Sequence, residues 1–224
     1  MQKRKIIIGT YDTALEGLWT LAGWTLGKPV ANEEYVSIPG HSGLLDVSTV
    51  LTDGEAYYGN RPFEATLESS EGSRLEREER INQMINRLDG LRLNITLPDD
   101  PMHYITGRIS VEKLYNNPYH ASVKVSANCD SWRYNHSETV VGVTAESTEK
   151  TVTLINNGRL SVIPRVKVTG GPVMLKYTSD GMTKTWNQSA GSYNLVDLYI
   201  KTGSAAVTYS GTGTVTFTYR EAVL

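Results

Sequence analysis

The sequence predicts a mainly β protein with one α-helix, organised as an N-terminal β-rich domain followed by a C-terminal β-sandwich. Two observations carry this prediction. Short segments in which apolar and polar residues alternate recur along most of the chain, and this alternation is typical of strands with one buried face. Apolar residues spaced as on one face of a helix occur clearly in a single segment, from about residue 73 to residue 89.

The N-terminal half contains the first group of predicted strands. Residues 91–97 and 102–110 flank a turn, Pro98-Asp99-Asp100-Pro101, whose composition favours reversal of the chain. These two segments therefore predict a hairpin. The strands predicted in this half are residues 5–10, 17–26, 35–38, 62–68, 91–97, 102–110 and 120–127.

The predicted helix follows a turn at residues 69–73. Ser73 and Glu76 have the spacing of a capping box, in which each side chain accepts a hydrogen bond from the backbone N–H of the other. Gly90 supplies a left-handed stop. One apolar face is formed by residues at helical spacing: Ile81, Met84, Ile85 and Leu88. The charged residues of the first turns are predicted to be solvated, with a subunit contact as the alternative: Arg74, Arg77, Glu78, Glu79 and Arg80.

The second half contains strand patterns and turn residues but no helical pattern. Turn signals at residues 156–158, 170–171 and 180–181 recur at a spacing of roughly 8–15 residues, which is typical of a β-sandwich. Residues 211–213 are interpreted as a hairpin turn. The predicted strands are residues 139–144, 151–155, 161–168, 173–177, 193–200, 205–209 and 214–219. The change of pattern near residues 129–131 predicts two domains, residues 1–130 and 131–224.

Composition and charge argue against several classes of function. The net charge of −2 gives no electrostatic reason to expect binding to nucleic acid or to an anionic membrane. Cys129 is the single cysteine, which excludes an intrachain disulfide and fits a reducing compartment. The apolar run near the N-terminus covers only Ile6 to Ile8, whereas a signal peptide needs roughly 7–15 apolar residues and a membrane span roughly 20. We therefore expect neither secretory targeting nor a membrane anchor.

No catalytic motif is visible in the sequence. Asp99 and Asp100 are the obvious carboxylate pair that a glycosidase would need, but their place between two prolines favours a structural turn. Ser147 and Lys150 match a Ser-x-x-Lys pattern without its partner motifs. The histidines lack the short spacing of metal ligands: His41, His103, His120 and His136. The sequence therefore predicts no enzymatic activity, no catalytic residue, no cofactor and no metal site.

Residues 35–68 form the most distinctive stretch of the chain. A strand ends at Pro39-Gly40, a loop reaches Asp46, and turns at Asp53-Gly54 and Gly59-Asn60 precede a second strand. Neither aspartate belongs to a catalytic pattern. We interpret the turns as shaping a subunit surface, with strands 35–38 and 62–68 as the candidates for contact between protomers.

A series of short motifs in a fixed order carries a resemblance to a known family. The motifs are Ile38-Pro39-Gly40, Gly43-Leu44-Leu45-Asp46, Tyr57-Tyr58-Gly59-Asn60-Arg61, Phe63-Glu64-Ala65-Thr66-Leu67, Arg87-Leu88-Asp89-Gly90, Leu97-Pro98-Asp99-Asp100-Pro101-Met102-His103-Tyr104, Gly107-Arg108, and residues 156–170 beginning with Asn156-Asn157-Gly158. In this order they resemble the distal tail protein (Dit) family of long, flexible-tailed bacteriophages (siphophages) and their prophages. The resemblance is strongest over residues 35–170.

The resemblance implies an N-terminal domain that builds a hexameric ring and a C-terminal galectin-like β-sandwich. It implies a non-enzymatic baseplate hub at the tail tip of the virion, made in the host cytoplasm before assembly. Such a hub would join the tail tube protein to the tail-associated fibre or lysin protein and hold receptor-binding proteins. DNA would pass through its lumen without being specifically bound, and the family supplies no catalytic residue to carry over.

Two rival functions remain open at this point. One is a free carbohydrate-binding β-sandwich module, in which Trp132, Trp186 and the tyrosines stack on sugar rings. Packing in the core or between domains is the other interpretation of these aromatics. The remaining rival is a glycoside-active enzyme. Some members of the resembled family carry a carbohydrate-binding insertion for which 224 residues leave no room, so we expect the hub rather than glycan binding.

Overall fold

The structure, a computed structural model, describes residues 5–40, 42–50, 52 and 54–224. The chain divides into two compact units, Met1–Arg133 and Tyr134–Leu224. Both units are built mainly from antiparallel strands, and α1 (Arg74–Leu88) is the single α-helix among the described residues. The predicted fold class is therefore confirmed.

The first unit is organised around one large sheet. The strands that lie or begin in this unit are β1 Ile7–Ile8, β2 Tyr11–Asp12, β3 Thr20–Leu26, β4 Tyr35–Ser37, β5 Leu44–Asp46, β6 Arg61–Ser69, β7 Arg92–Leu97, β8 Asp100–Asn116 and β9 Ala121–Asn135. The path through the sheet is β2-β1-β7-β8-β9-β6-β3, whereas β4 and β5 form a separate two-stranded hairpin. The predicted hairpin around Pro98 is confirmed as the β7–β8 pair.

The core of this unit lies between the sheet and α1. Along β6, Phe63, Ala65 and Leu67 are buried while Glu64 and Glu68 face solvent, as the alternation predicts. The helix begins with the predicted capping box, in which Ser73 Oγ accepts from the N–H of Glu76 at 3.3 Å. The apolar residues of α1 contribute to the same core: Ile81, Met84 and Leu88, with Ile85 partly buried.

Arg77 corrects one prediction. It was expected to be solvated, but the residue is 1% exposed. Its guanidinium donates hydrogen bonds to three backbone carbonyls, those of Gly72, Asn117 and Pro118. The run of charged residues does not reveal the burial of Arg77. A long side chain can bury its apolar stem while its charged end donates hydrogen bonds to a loop that is distant in the sequence. Arg77 therefore joins the start of the helix to the connection between β8 and β9.

Several strand boundaries in the first unit differ from the predicted ones. The strand expected at residues 5–10 is reduced to β1, and that expected at 17–26 begins only at Thr20. In the other direction, β8 and β9 continue to Asn116 and Asn135. Residues 129–131, where the sequence pattern changes, lie inside β9, since Cys129 and Ser131 continue its buried face.

Cys129 gives a testable property of this core. The thiol is fully buried, and burial raises its pKa to about 12. The folded chain therefore keeps a proton that the unfolded chain loses above about pH 9, so this group's contribution to stability declines as pH rises from about 9 toward 12. We expect the free energy of unfolding of the wild type to fall by about 1.4 kcal/mol more than that of Cys129→Ala between pH 8 and pH 10.

Urea unfolding at pH 8, 9 and 10 measures this difference. A native thiol that reacts with Ellman's reagent as fast as the unfolded chain would contradict the buried, protonated state.

The second unit is a β-sandwich. Its remaining strands are β10 Thr139–Thr144, β11 Lys150–Asn156, β12 Arg165–Thr169, β13 Val173–Ser179, β14 Met182–Gln188, β15 Gly191–Asn194, β16 Gly203–Gly211, β17 Thr214–Tyr219 and β18 Ala222–Val223. Two four-stranded sheets run β10-β17-β12-β15 and β11-β16-β13-β14. Residues of both sheets share one core, including Val166 and Phe217 from the first sheet and Leu175 and Val207 from the second.

The predicted strands of this unit match unevenly. β17 has the predicted bounds. The segment expected at 161–168 corresponds to β12, which begins later and ends one residue further on, whereas most of the segment expected at 193–200 lies outside β15. β14 was missed because its residues are mostly polar and exposed. The turn at Asp180-Gly181 is confirmed: both residues have positive φ, 52° and 76°, and they join β13 to β14 with Ser179 paired to Met182.

The interpretation of residues 211–213 as a hairpin turn is wrong. β16 and β17 belong to different sheets, so Gly211-Thr212-Gly213 carries the chain from one sheet to the other. The glycines serve close packing there: a Cβ on Gly213 would lie 2.3 Å from the carbonyl oxygen of Gly171 and 2.7 Å from that of Thr169.

Gly213→Ala should therefore destabilise the second unit by roughly 3 kcal/mol, because both obstacles are backbone atoms that cannot rotate away. Gly142→Ala is the matched control, since no neighbouring heavy atom lies within 4 Å of its added Cβ. Chemical denaturation of both variants measures the effect. Equal stabilities would contradict the close approach of the two chain segments.

Candidate assembly surface

A hairpin separates from the main sheet of the first unit. β3 and β6 pair with each other in that sheet, and residues 27–60 connect them. β4 and β5 lie in this connection, with Tyr35 paired to Asp46 and Ser37 to Leu44. All six residues of the two strands are exposed.

Apolar side chains cover this hairpin. Successive residues of a strand point to opposite faces, so exposure of every residue means that neither face packs on the core of its own chain. Soluble proteins seldom expose contiguous apolar clusters unless they bind a partner. The exposed apolar residues of the hairpin and its turn are Tyr35, Val36, Ile38, Leu44 and Leu45. We call these residues, with the strands that carry them, the exposed hairpin.

The base of the exposed hairpin is fixed to the sheet. Residues 30–32 and 57–59 form a second short pairing, with backbone hydrogen bonds from Asn32 to Tyr57 and from Gly59 to Val30. Ser131 Oγ, on β9, donates toward the carbonyl oxygens at positions 58 and 59, at 2.6 and 2.9 Å. The rings of residues 58 and 132 meet edge to face at 5.6 Å between centroids. These contacts therefore attach the exposed hairpin to the main sheet of the first unit.

Acidic groups border the apolar residues. Asp46 accepts hydrogen bonds from the backbone N–H and the hydroxyl of Ser48, and these bonds lower the pKa of its carboxyl. The carboxylate of Glu33, followed by that of Asp46, raises the pKa of Tyr35. Ser48 Oγ also accepts from the N–H of Glu34 at 2.7 Å. Asp46 therefore closes the hairpin as a fixed anion rather than as a group that exchanges protons near neutral pH.

The second strand expected to contact another protomer occupies a different place. β6 lies inside the sheet and pairs with β3 on one side and β9 on the other, so it has no free edge. The prediction that strand 62–68 offers an edge is therefore wrong. β3 is the strand at that end of the sheet path.

The structure brings together only some of the sequence-selected polar residues. Asp100 lies between His103 and Arg133, with Asp100 Oδ1 2.6 Å from His103 Nδ1 and Asp100 Oδ2 2.6 Å from Arg133 Nη1. The His120 ring packs edge-on against Tyr115 at 5.1 Å between centroids. Within the described residues, no group of three or more acidic, histidine or cysteine side chains could hold a metal ion.

The remaining sequence-selected residues lie apart from these. The carbonyl oxygen of His136 accepts a hydrogen bond from Arg220 at 2.6 Å. His41 and Asp53 lie outside the described residues.

The pKa of Lys150 is shifted in the direction opposite to that needed in a Ser-Lys nucleophile pair. Its ammonium is 2.5 Å from Glu146, and this hydrogen bond raises the pKa of Lys150. A lysine that activates a serine must be neutral, which requires a lowered pKa. The match at Ser147 and Lys150 therefore belongs to the exposed start of β11 and the residues before it.

A polar groove lies on the β11-β16-β13-β14 sheet of the second unit. It measures about 550 Å³ and is lined largely by threonine, serine and charged side chains. Three of the lining residues contact Tyr199: its Oη is 2.8 Å from Asp180 Oδ2 and 2.9 Å from Ser179 Oγ, and Lys201 lies over its ring. The two tryptophans proposed for sugar stacking are placed elsewhere, since Trp186 packs against the core of this unit and Trp132 contacts Tyr58.

Comparisons with known proteins give one informative result. No protein-family model and no curated protein matches the chain. Among the parts of the chain that the structure describes, no helix has the length and apolar character needed to cross a membrane.

Among the solved structures, by contrast, the fold of this chain is similar to that of a hub protein from a phage adsorption apparatus. One matching structure is the crystal structure of the SPP1 Dit (gp 19.1) protein, a paradigm of the hub adsorption apparatus in phages that infect Gram-positive bacteria. The TM-score is 0.70 over 100% of both chains, at 13% sequence identity. At this identity the likeness shows a common fold, so the chain has a Dit-like fold.

Proposed function

We propose that this chain is a non-enzymatic structural component of a bacteriophage tail tip and that six copies form a hub ring. The observation that carries the proposal is the likeness to a phage hub protein over the full length of both chains. A β-sandwich alone occurs in many unrelated proteins. The same large sheet, helix and sandwich in one order along a chain of matching length is a far more restrictive likeness.

The exposed hairpin supports self-assembly. A closed ring of identical subunits needs two different, complementary surfaces on each copy. The apolar residues of the hairpin supply one surface, and the edge strand β3 supplies backbone groups for the other. In the proposed ring, the hairpin of one protomer contacts the next protomer near β3.

The proposed partners follow from this role. The ring joins the tail tube protein to the tail-associated fibre or lysin protein and carries receptor-binding proteins, at the tip of the virion tail. It assembles from chains made in the host cytoplasm. DNA passes through the lumen during ejection, and the net charge of −2 agrees with passage without tight phosphate binding.

Native mass spectrometry of the purified chain tests the oligomeric state. Six chains of 24.8 kDa give about 149 kDa, which is the expected species at micromolar concentration. A chain that stays at 24.8 kDa at high concentration, alone and with tail tube protein, would contradict the hub.

The polar groove favours a second candidate function, that of a carbohydrate-binding module. The hydroxyl and charged side chains that line the groove can hydrogen-bond a saccharide. Titration with host cell-wall polysaccharide fragments, followed by NMR signals of the second unit, tests it. Saturable shifts at Thr178 and Thr183 in a monomeric chain would favour the module, whereas absence of shifts leaves the groove without this function.

A further inference from the structure

The outer face of the β10-β17-β12-β15 sheet carries two exposed cations on β12. Val166 and Val168 of this strand are buried in the core of the second unit, so Arg165 and Lys167 lie on the opposite face. Residues two apart on a strand are separated by about 7 Å, so the two charges lie close together on one side of the sheet. We call this outer side of the sheet the basic face.

Polar side chains surround the two cations. In the register of the sheet, the neighbours of both cations on β17 and β15 carry hydroxyl or amide groups. These neighbours are Thr218 and Asn194 beside Arg165, and Thr216 and Ser192 beside Lys167. Among the described residues of the basic face, Val140 is the only large apolar one and none is aromatic.

Little negative charge balances the basic face. Each of the other four lysines of the second unit forms an ion pair with a carboxylate, whereas Lys167 has no such partner among the described residues. Arg165 lies 3.9 Å from Glu138, and the same carboxylate accepts a hydrogen bond from Arg220 at 3.2 Å. One carboxylate is therefore shared by two guanidinium groups, and the net charge of −2 of the whole chain conceals a local positive excess.

The chemistry of the basic face favours one kind of ligand. A protein partner is expected to meet an apolar centre rich in aromatic residues, and nucleic-acid bases and sugar rings stack on aromatic side chains. The basic face offers neither. Arginine and lysine pair with phosphate groups, and hydroxyl and amide side chains form hydrogen bonds with alcohols.

We propose that the basic face binds a flexible chain of polyol phosphate units. Neighbouring phosphates of such a chain contact Arg165 and Lys167, while the polyol hydroxyls form hydrogen bonds with the side chains on β15 and β17. The flexibility of the chain lets it follow a flat surface without a pocket. The basic face lies within the second unit, so this inference goes beyond the hub ring and does not rest on it.

Fluorescence anisotropy of a dye-labelled glycerol phosphate oligomer, titrated with the full chain at low ionic strength, tests the basic face. The oligomer should bind, and the double variant Arg165→Met, Lys167→Met should weaken binding about tenfold, because exposed cations contribute modestly one by one. The matched control is the double variant Lys184→Met, Lys201→Met, which removes two charges from other parts of the same unit. It should change binding less than about twofold.

Glu138→Gln should change the affinity in the opposite direction. The substitution removes the carboxylate that competes for Arg165, so binding should strengthen about threefold. Glu149→Gln is the matched control, because Glu149 is similarly exposed and pairs with Lys176 on the other sheet. It should leave the affinity nearly unchanged.

Absence of binding, or equal weakening by the two double variants, would overturn the proposal. Equal affinity for polygalacturonate or for single-stranded DNA would also overturn it, since the basic face would then attract anions in general. Tight binding of the glycerol phosphate oligomer with the expected effects of both sets of variants would support it.

Discussion

Replacing both Leu44 and Leu45 by glutamate should convert the assembled protein into monomers without unfolding it. Both leucines are exposed on the hairpin, so the added charges should leave the free energy of unfolding of the single chain nearly unchanged. In the proposed ring the same side chains are covered by the next protomer, where an unpaired carboxylate is strongly unfavourable. The native mass should fall from about 149 kDa to 24.8 kDa while Tm of the isolated chain stays within about 2 °C.

The control is a pair of apolar residues away from the hairpin that are at least as exposed as the two leucines. Met182 and Val196, in the second unit, are 65% and 70% exposed. Glutamate at both positions introduces the same charge without touching the hairpin. If this control dissociates to the same degree, or if the leucine variant remains a hexamer, the exposed hairpin is not the contact between protomers.

Arg77→Met should cost roughly 3 kcal/mol of stability. The substitution retains a long apolar stem but leaves the carbonyl oxygens of Gly72, Asn117 and Pro118 without their donor. Arg74→Met, one helical turn earlier on the exposed side of α1, serves as the control and should change stability by less than about 0.5 kcal/mol.

Urea denaturation measures both arginine variants. Because the lost bonds join the helix to the β8–β9 connection, hydrogen exchange of residues 73–77 should also accelerate in Arg77→Met. Equal losses of stability in Arg77→Met and Arg74→Met would mean that the buried guanidinium stabilises the fold no more than the solvated one.

Regular segments of this fold could be predicted because their local pattern and their tertiary environment agree. In β6 and β17 one face is buried along the whole strand, so alternation is complete and the bounds are nearly right. The capping box of α1 is equally local, since Ser73 and Glu76 need only each other. β14 fails this condition because its residues are mostly exposed, and its position is set by pairing with β13.

Features that depend on residues distant in the sequence could not be predicted from local sequence patterns. Two of the three carbonyl partners of Arg77 lie 40 and 41 residues away, so its burial leaves no periodic signal. Gly213 has the composition of a hairpin turn, yet its role comes from the backbone of residues 169–171. Arg61 belongs to the motif Tyr57-Tyr58-Gly59-Asn60-Arg61, but only the structure shows that its side chain is buried.

The candidate assembly surface was predicted in part. The stretch from Tyr35 was expected to meet another protomer, and the structure places an exposed apolar hairpin there. The companion strand at 62–68 has no free edge, which the sequence could not reveal because alternation cannot distinguish an edge strand from an interior strand. That distinction depends on which segments pair with it, here β3 and β9.

Negative-stain electron microscopy of the purified chain tests the central claim most directly. The proposed hub predicts particles with a central hole and six-fold symmetry, which disappear in the Leu44→Glu, Leu45→Glu double variant. Uniform small particles without a hole, at concentrations where the chain is folded and with tail tube protein present, would contradict a ring-forming hub.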